Sequence, residues 1–95
     1  MIYVYVTYHC KKGMGKAFVN ALEESGLAAA CRNDAGNIQY RYYFGADDPD
    51  EVVLLEKWED SESLALHAAH PHMKDIGACK EKYVDTVEIV KLQKA

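Results

Sequence analysis

The feature that most restricts the fold is a segment whose apolar side chains fall on both faces of a strand. Residues 51–59 contain Val-Val-Leu-Leu at positions 52–55. Because successive side chains of a strand point to opposite faces of a sheet, both faces of this strand are apolar. The segment 2–8, dense in β-branched and aromatic residues, has the same character. A sheet with one face in water would alternate apolar and polar residues, so both faces of this sheet are expected to be covered.

The hydrophobic spacing predicts four strands and two helical units in the order β-α-β-β-α-β. Gly26 weakens the first helix near its end, and Pro71 interrupts the second helical unit. Turn residues at 33–36 precede the second strand, and a six-residue connection joins the second strand to the third. The predicted strands cover residues 2–8, 38–44, 51–59 and 83–92, and the predicted helices cover 15–32, 61–69 and 71–81.

This order is typical of an α+β, ferredoxin-like βαββαβ fold, a four-stranded antiparallel sheet with two helices on one face. The length of 95 residues predicts a single domain over residues 1–95. Two helical units cover only one face, so the second apolar face is expected to bury against a second copy of the chain as a homodimer. Each Val or Leu left uncovered would forgo about 1.5–3 kcal/mol.

Net charge indicates which partners to expect, and cysteine content indicates which cellular compartment to expect. The chain has 11 basic and 15 acidic residues, a net charge of −4, which disfavours nucleic acid and anionic membranes as partners. No stretch approaches the roughly 20 apolar residues of a membrane span, and the start lacks the pattern of a secretory signal. The three cysteines are far apart, without a Cys-x-x-Cys pair, which predicts neither a disulfide framework nor a thiolate zinc site. A cytoplasmic location is therefore expected.

A candidate pocket follows from the periodicities of the third strand and the second helical unit. The side chains of Leu54, Glu56 and Trp58 share one face of the strand, and Asp60 is a suitable N-cap for the helix that follows. Leu64 and His67 share a face of that helix, so Trp58 and His67 are expected to line one cavity between sheet and helices. Tyr40 and Tyr42 on the neighbouring strand are further candidates for its wall. Such a pocket suits a flat aromatic or quinone-like ligand, although a core tryptophan beside a hydrogen-bonded core histidine would produce the same pattern.

Other histidines and cysteines could bind a metal or react chemically, but their spacing gives weaker support for such roles. His67, His70 and His72 are close in sequence, but a proline breaks the helix between them and no known zinc spacing is met. The sequence therefore predicts no metal site and places His70 and His72 at the surface. Cys31 and Cys79 are interpreted as small buried hydrophobic residues. With no glycine-rich phosphate loop and no dinucleotide fingerprint, no cofactor is expected.

Three segments resemble the antibiotic biosynthesis monooxygenase family: residues 33–40, residues 53–60 with their Glu-x-Trp, and residues 64–72 with their histidines. In order and spacing, the resemblance extends over nearly the whole chain. It implies a dimeric α+β barrel, in agreement with the burial argument. It also implies that Trp58 and His67 are catalytic residues at the pocket.

The resemblance further implies a cofactor-independent monooxygenase that oxidises a small quinol- or phenol-like aromatic with dioxygen. Histidine suits the role of base because its free pKa lies near neutrality. Two alternatives remain open: a non-redox, isomerase-like enzyme acting on a small polar or phosphorylated metabolite, and a non-catalytic small-molecule-binding domain. Arg41 lies on the opposite strand face from Tyr40, which disfavours the phosphorylated substrate. The residues expected to contact substrate are Glu56, Leu54, Tyr40, Tyr42 and Leu64.

Overall fold

The computed structural model describes residues 1–93, so the last two residues of the domain predicted over 1–95 lie outside the described residues. The elements are β1 (Ile2–Cys10), α1 (Gly15–Glu24), α2 (Leu27–Arg32), β2 (Asn37–Phe44), β3 (Glu51–Trp58), α3 (Ser61–Ala68), α4 (His72–Tyr83) and β4 (Val84–Gln93). The strands form one antiparallel sheet in the order β2-β3-β1-β4. The predicted βαββαβ arrangement is confirmed, each helical unit being a pair of short helices. No helix within residues 1–93 has the length and apolarity to cross a bilayer.

The first helical unit is two helices, and the prediction of one helix over 15–32 was wrong at Gly26. This residue has a φ of +83°, in the left-handed region. Glycine adopts that conformation without the clash that a Cβ atom would cause. It therefore ends α1 and allows α2 to begin at Leu27.

The second helical unit is interrupted where the sequence predicted. The Asp60 side chain caps α3 by accepting a hydrogen bond from the backbone N–H of Ser63 at 2.8 Å. The helix ends at Ala68, and Pro71, with φ −54°, immediately precedes α4. The break changes the direction of the chain just before His72.

The face of the sheet toward the helices forms one wall of the core. The even-numbered residues of β3 are buried, and Val4 and Val6 of β1 lie on the same face, because Val4 is directly opposite Glu56 in the register. The helices complete this core with Phe18, Leu22, Cys31 and Ile76.

A bulge changes one prediction for β2. The pairing register passes from Asn37 directly to Gln39, which leaves Ile38 without a partner on β3. A bulge inserts one extra residue and so breaks the alternation of faces. The regular alternation expected of a strand therefore does not extend to Ile38, which is 49% exposed, whereas Tyr40 is buried.

The opposite face of the sheet, here called the outer face, carries Tyr3, Tyr5, Tyr43, Val53, Leu55, Val90 and Leu92, together with the polar residues Thr7, Arg41, Lys57 and Glu88. Its central row, Leu55, Tyr5 and Val90, is apolar, as predicted. Within residues 1–93 this row remains partly open to solvent, since Tyr5 is 42% and Val90 is 47% exposed. A contiguous apolar surface of this kind is typical of an interaction site.

Candidate active site

A cavity of about 570 Å³ lies between the helix-side face of the sheet and helices α3 and α4. This volume is typical of a site for a small organic ligand. Much of its wall is apolar, contributed by Val4, Val6, Leu64, Met73, Ile76 and Ile89.

The structure divides the predicted site residues into two groups. Tyr40, Glu56, Leu64 and His67 line the cavity. The other three, which are Trp58, Leu54 and Tyr42, lie behind its wall. Trp58 is fully buried and contacts the cavity only through its neighbours. Trp58 was expected at the cavity surface. It instead lies behind the wall, where it supports Glu56 and His67.

Trp58, Glu56 and His67 form one contact group. The Trp58 indole N–H donates a hydrogen bond to Glu56 Oε1 at 3.0 Å. Its ring centroid lies 4.6 Å from that of His67, with an interplanar angle of 33°. Glu56 Oε1 is also 3.8 Å from His67 Nε2. Burial raises the pKa of the Glu56 carboxyl, and the indole hydrogen bond and the nearby imidazole partly oppose this shift.

The orientation of His67 is set by Asp34, which lies 2.7 Å away through Oδ2 and Nδ1. Because a carboxylate can only accept, Nδ1 carries the hydrogen and donates it to Asp34. In the neutral imidazole this leaves Nε2, the nitrogen facing Glu56, as a proton acceptor. His67 therefore presents a basic nitrogen next to a carboxyl group at the cavity wall.

Asp34 reaches His67 because of the tight turn between α2 and β2. The backbone N–H of Asn37 donates to the carbonyl oxygen of Asp34 at 3.1 Å. Gly36, with φ +82°, passes close to α3, where an added Cβ atom would lie 2.0 Å from Ser63 Oγ. Only a glycine fits this combination of backbone angle and close approach.

His72 belongs to the same network, so its predicted surface position was wrong. Its Nε2 lies 3.1 Å from Asp34 Oδ2 and 3.7 Å from Cys31 Sγ, and its side chain is only 10% exposed. His70 is exposed, as predicted, and its ring stacks on that of His72 at 3.8 Å. The break at Pro71 causes the difference, because it turns the chain so that His72 points inward.

Cys31, Asp34, His67 and His72 place four donor atoms within 4.8 Å of one another, a set that zinc accepts. This cluster differs from the histidine trio considered from sequence. Burial raises the pKa of Cys31 to about 11, so without a metal ion its sulfur is a neutral thiol near pH 7. Asp34 Oδ2 lies within hydrogen-bond distance of both imidazoles. These contacts describe a hydrogen-bonded support for His67.

Most of the sequence matches one known protein family. Residues 1–78 match the family described as Antibiotic biosynthesis monooxygenase, which is most of the chain. The chain belongs to this family. The resemblance inferred from the Glu-x-Trp and histidine segments is thereby confirmed.

Solved structures share the fold of this antibiotic biosynthesis monooxygenase family member. A conserved protein of Methanosarcina mazei has a TM-score of 0.86 at 27% identity, covering 99% of this chain and 92% of its own. A protein of Deinococcus radiodurans has a TM-score of 0.87 at 17% identity, with coverages of 100% and 93%. A structure described as an antibiotic biosynthesis monooxygenase has a TM-score of 0.85 at 19% identity, with coverages of 100% and 99%. None of the curated proteins matches the chain.

Two tyrosines also line the cavity of this family member, Tyr40 as predicted and Tyr8, which the sequence interpretation missed. Burial raises the pKa of both phenols well above the usual value for tyrosine. Both therefore remain protonated at physiological pH. They can donate a hydrogen bond to a ligand oxygen, and they cannot serve as bases.

Proposed function

We propose that the protein is a cofactor-independent monooxygenase that oxidises a small quinol- or phenol-like aromatic with dioxygen. One observation carries this proposal: His67, held by Asp34 through Nδ1, offers Nε2 as an acceptor at the wall of an apolar cavity of about 570 Å³. Membership of the antibiotic biosynthesis monooxygenase family supports the reaction class. The substrate class rests on the shape and chemistry of the cavity.

In the proposed reaction, His67 Nε2 removes the proton of a substrate hydroxyl. The resulting anion is electron-rich and reacts directly with dioxygen, forming a carbon–oxygen bond at a free ring position. The O–O bond then breaks; one oxygen atom stays on the ring and the other leaves as water. For a quinol, the products are one hydroxyquinone and one water. The substrate supplies all four electrons that dioxygen accepts.

The other site residues have supporting roles in this proposal. Tyr40 and Leu64 contact the ring from opposite sides, since one lies on β2 and the other on α3. Glu56 lies beside Nε2 and stabilises the imidazolium that forms after proton transfer. Trp58, with Leu54 and Tyr42 behind the wall, holds these groups in place.

The test is oxygen consumption by the purified protein with 1,4-naphthohydroquinone, corrected for the uncatalysed reaction. We expect accelerated uptake and a hydroxyquinone that contains one atom from isotopically labelled dioxygen. A His9→Ala variant serves as the matched histidine control and should behave like the wild type, because His9 lies on the outer face of the sheet and does not line the cavity. Uptake no faster than without protein, for a panel of quinols and phenols, would contradict the proposal.

One observation favours a non-redox alternative on an anionic metabolite. Arg41, which the sequence interpretation considered, is exposed, but Lys80 and Lys91 line the cavity. An isomerase-like enzyme or a non-catalytic binding domain would bind small molecules in this cavity without consuming oxygen. The same oxygen measurement therefore separates these alternatives from the monooxygenase.

We also propose that the chain forms a homodimer through the outer face. The support is the apolar character of Tyr5, Leu55 and Val90 on a face that no helix within residues 1–93 covers. Burying each such side chain contributes about 1.5–3 kcal/mol. A two-fold pairing of identical sheets covers this face with a second copy of the same chain and needs no other protein.

Leu55→Asp should dissociate this dimer, because it places a charge at the centre of the proposed interface. Sedimentation at micromolar concentration should give twice the chain mass of 10.7 kDa for the wild type and 10.7 kDa for the variant. Leu66→Asp is the matched control, since Leu66 is exposed on α3, away from the outer face. A monomeric wild type, or a Leu55→Asp variant that remains dimeric, would refute the proposed interface.

A cytoplasmic location is part of the same proposal. Cys10, Cys31 and Cys79 are all free thiols, as expected where reducing conditions keep cysteines unpaired. The net charge of −4 supports partners other than nucleic acid.

A further inference from the structure

Two lysines share the cavity with His67 and Glu56, and sequence interpretation did not identify them. Lys91 of β4 and Lys80 of α4 both line its wall. The register fixes the position of Lys91: it lies opposite Val4, which in turn lies opposite Glu56. Residues directly opposite each other on antiparallel strands point to the same face. Glu56, Val4 and Lys91 therefore form a row across the floor of the cavity.

This row gives the cavity a polar group at each end. Neighbouring strands are 4.7–4.9 Å apart, so the backbones at Glu56 and Lys91 are separated by about 10 Å. Val4, between them, is apolar. The floor thus has a carboxyl and an imidazole at the β3 end, an apolar centre, and an ammonium group at the β4 end.

Lys80 adds a second cation from α4, on the side of the cavity that faces the sheet. It follows Ile76 by four residues on α4, which places the two on the same face of the helix. Ile76 is buried and lines the cavity, so Lys80 continues the same surface by one turn.

Neither lysine has a carboxylate partner among the described residues. The ion pairs within residues 1–93 use only His9, Arg32, His67 and His72 as the basic member. Two cations without counter-ions on the wall of a largely apolar cavity attract an anion.

We infer that the cavity takes an aromatic acid, with its carboxylate at Lys80 and Lys91, its ring over Val4 and its hydroxyl at His67. The spacing across the floor suits one or two fused rings between the two polar groups. The assignment of the reacting hydroxyl rests on the proposed monooxygenase function. The anion site itself depends only on the two lysines and the shape of the cavity.

A pair of non-reacting probes tests the anion site by calorimetric titration of the full chain. 2-Naphthoate and 2-naphthamide share one ring system, but only the first carries a charge. We expect naphthoate to bind about 10- to 100-fold more tightly, the range of a single charge-assisted hydrogen bond. The preference should decrease as the salt concentration rises.

Lys80→Met and Lys91→Met should each reduce this preference, because methionine retains an apolar stem and removes the charge. Lys16→Met is the control, since Lys16 is exposed on α1 and does not line the cavity. Equal affinity for the two probes, no binding of either, or a preference that survives in the Lys80→Met/Lys91→Met double variant would overturn the inference.

The outcomes also separate this inference from the proposed function. A naphthoate preference without any oxygen consumption would support the anion site and refute the monooxygenase function. Oxygen consumption with the uncharged 1,4-naphthohydroquinone, together with no naphthoate preference, would support the monooxygenase function and refute the anion site.

Discussion

Replacing His67 by alanine should lower kcat for oxygen consumption with 1,4-naphthohydroquinone by about 10²- to 10⁴-fold, the usual contribution of a positioned general base. The imidazole supplies the acceptor nitrogen at the cavity wall, with Nδ1 fixed by Asp34. Glu56 Oε1, next to this nitrogen, already accepts the hydrogen bond of the Trp58 indole N–H, so we expect Glu56 to be a poor substitute for the base. KM should change little, because many other side chains form the wall.

Two further variants identify the origin of this loss. Asp34→Asn keeps the size of the side chain, but its amide can donate to Nδ1 and so favour the tautomer in which Nε2 is protonated. We expect a decrease in kcat smaller than that of His67→Ala, with KM unchanged. His9→Ala, which removes a histidine outside the cavity, should retain full activity. A folded His67→Ala protein with undiminished kcat would show that His67 is not the base.

The pairing of Trp58 with His67 was predictable because it depends on two local periodicities. The alternation of β3 placed Trp58 on the helix side, and the helical spacing of α3 turned His67 toward it. Asp34 and His72 were not predictable in this way. Their contacts depend on the turn before β2 and on the break at Pro71, and both join segments far apart in sequence.

The lysines of the cavity were missed for a different reason. β4 carries apolar residues on both faces, with Val87 and Ile89 on one side and Val90 and Leu92 on the other. Its alternation therefore cannot say which face looks toward the helices. Only the pairing with β1 decides it and places Lys91 over the cavity. The bulge at Ile38 was invisible for a related reason, because an inserted residue leaves the composition of the strand unchanged.

Truncating Trp58 should have the largest effect on stability. Trp58 is the largest fully buried side chain, and Trp58→Ala is expected to lower the free energy of unfolding by about 3–5 kcal/mol. A small domain has about 5–15 kcal/mol in total. Because Trp58 is the only tryptophan of the chain, urea unfolding should be followed by far-ultraviolet circular dichroism. A loss below about 0.5 kcal/mol, the level of a typical surface substitution, would mean that the site relaxes around the missing ring.

Trp58→Phe separates packing from hydrogen bonding, because phenylalanine retains a ring against His67 and removes the indole N–H that Glu56 accepts. Burial already raises the pKa of Glu56 in the folded protein. The folded state therefore binds this proton more tightly than the unfolded chain, and stability decreases as pH rises from the unfolded pKa of about 4.3 through the folded value. Loss of the indole donor raises the folded pKa further, so the decrease continues to higher pH and its total size is larger.

The difference in unfolding free energy between the wild type and Trp58→Phe should thus be smallest near about pH 4 and largest near about pH 8. Glu56→Gln provides the control, because glutamine has the same shape and does not ionise. In the Glu56→Gln background, the cost of Trp58→Phe should be the same at both pH values. A cost that varies equally with pH in the two backgrounds would mean that the effect arises from another titrating group, and that the bond from Trp58 does not stabilise the ionised Glu56.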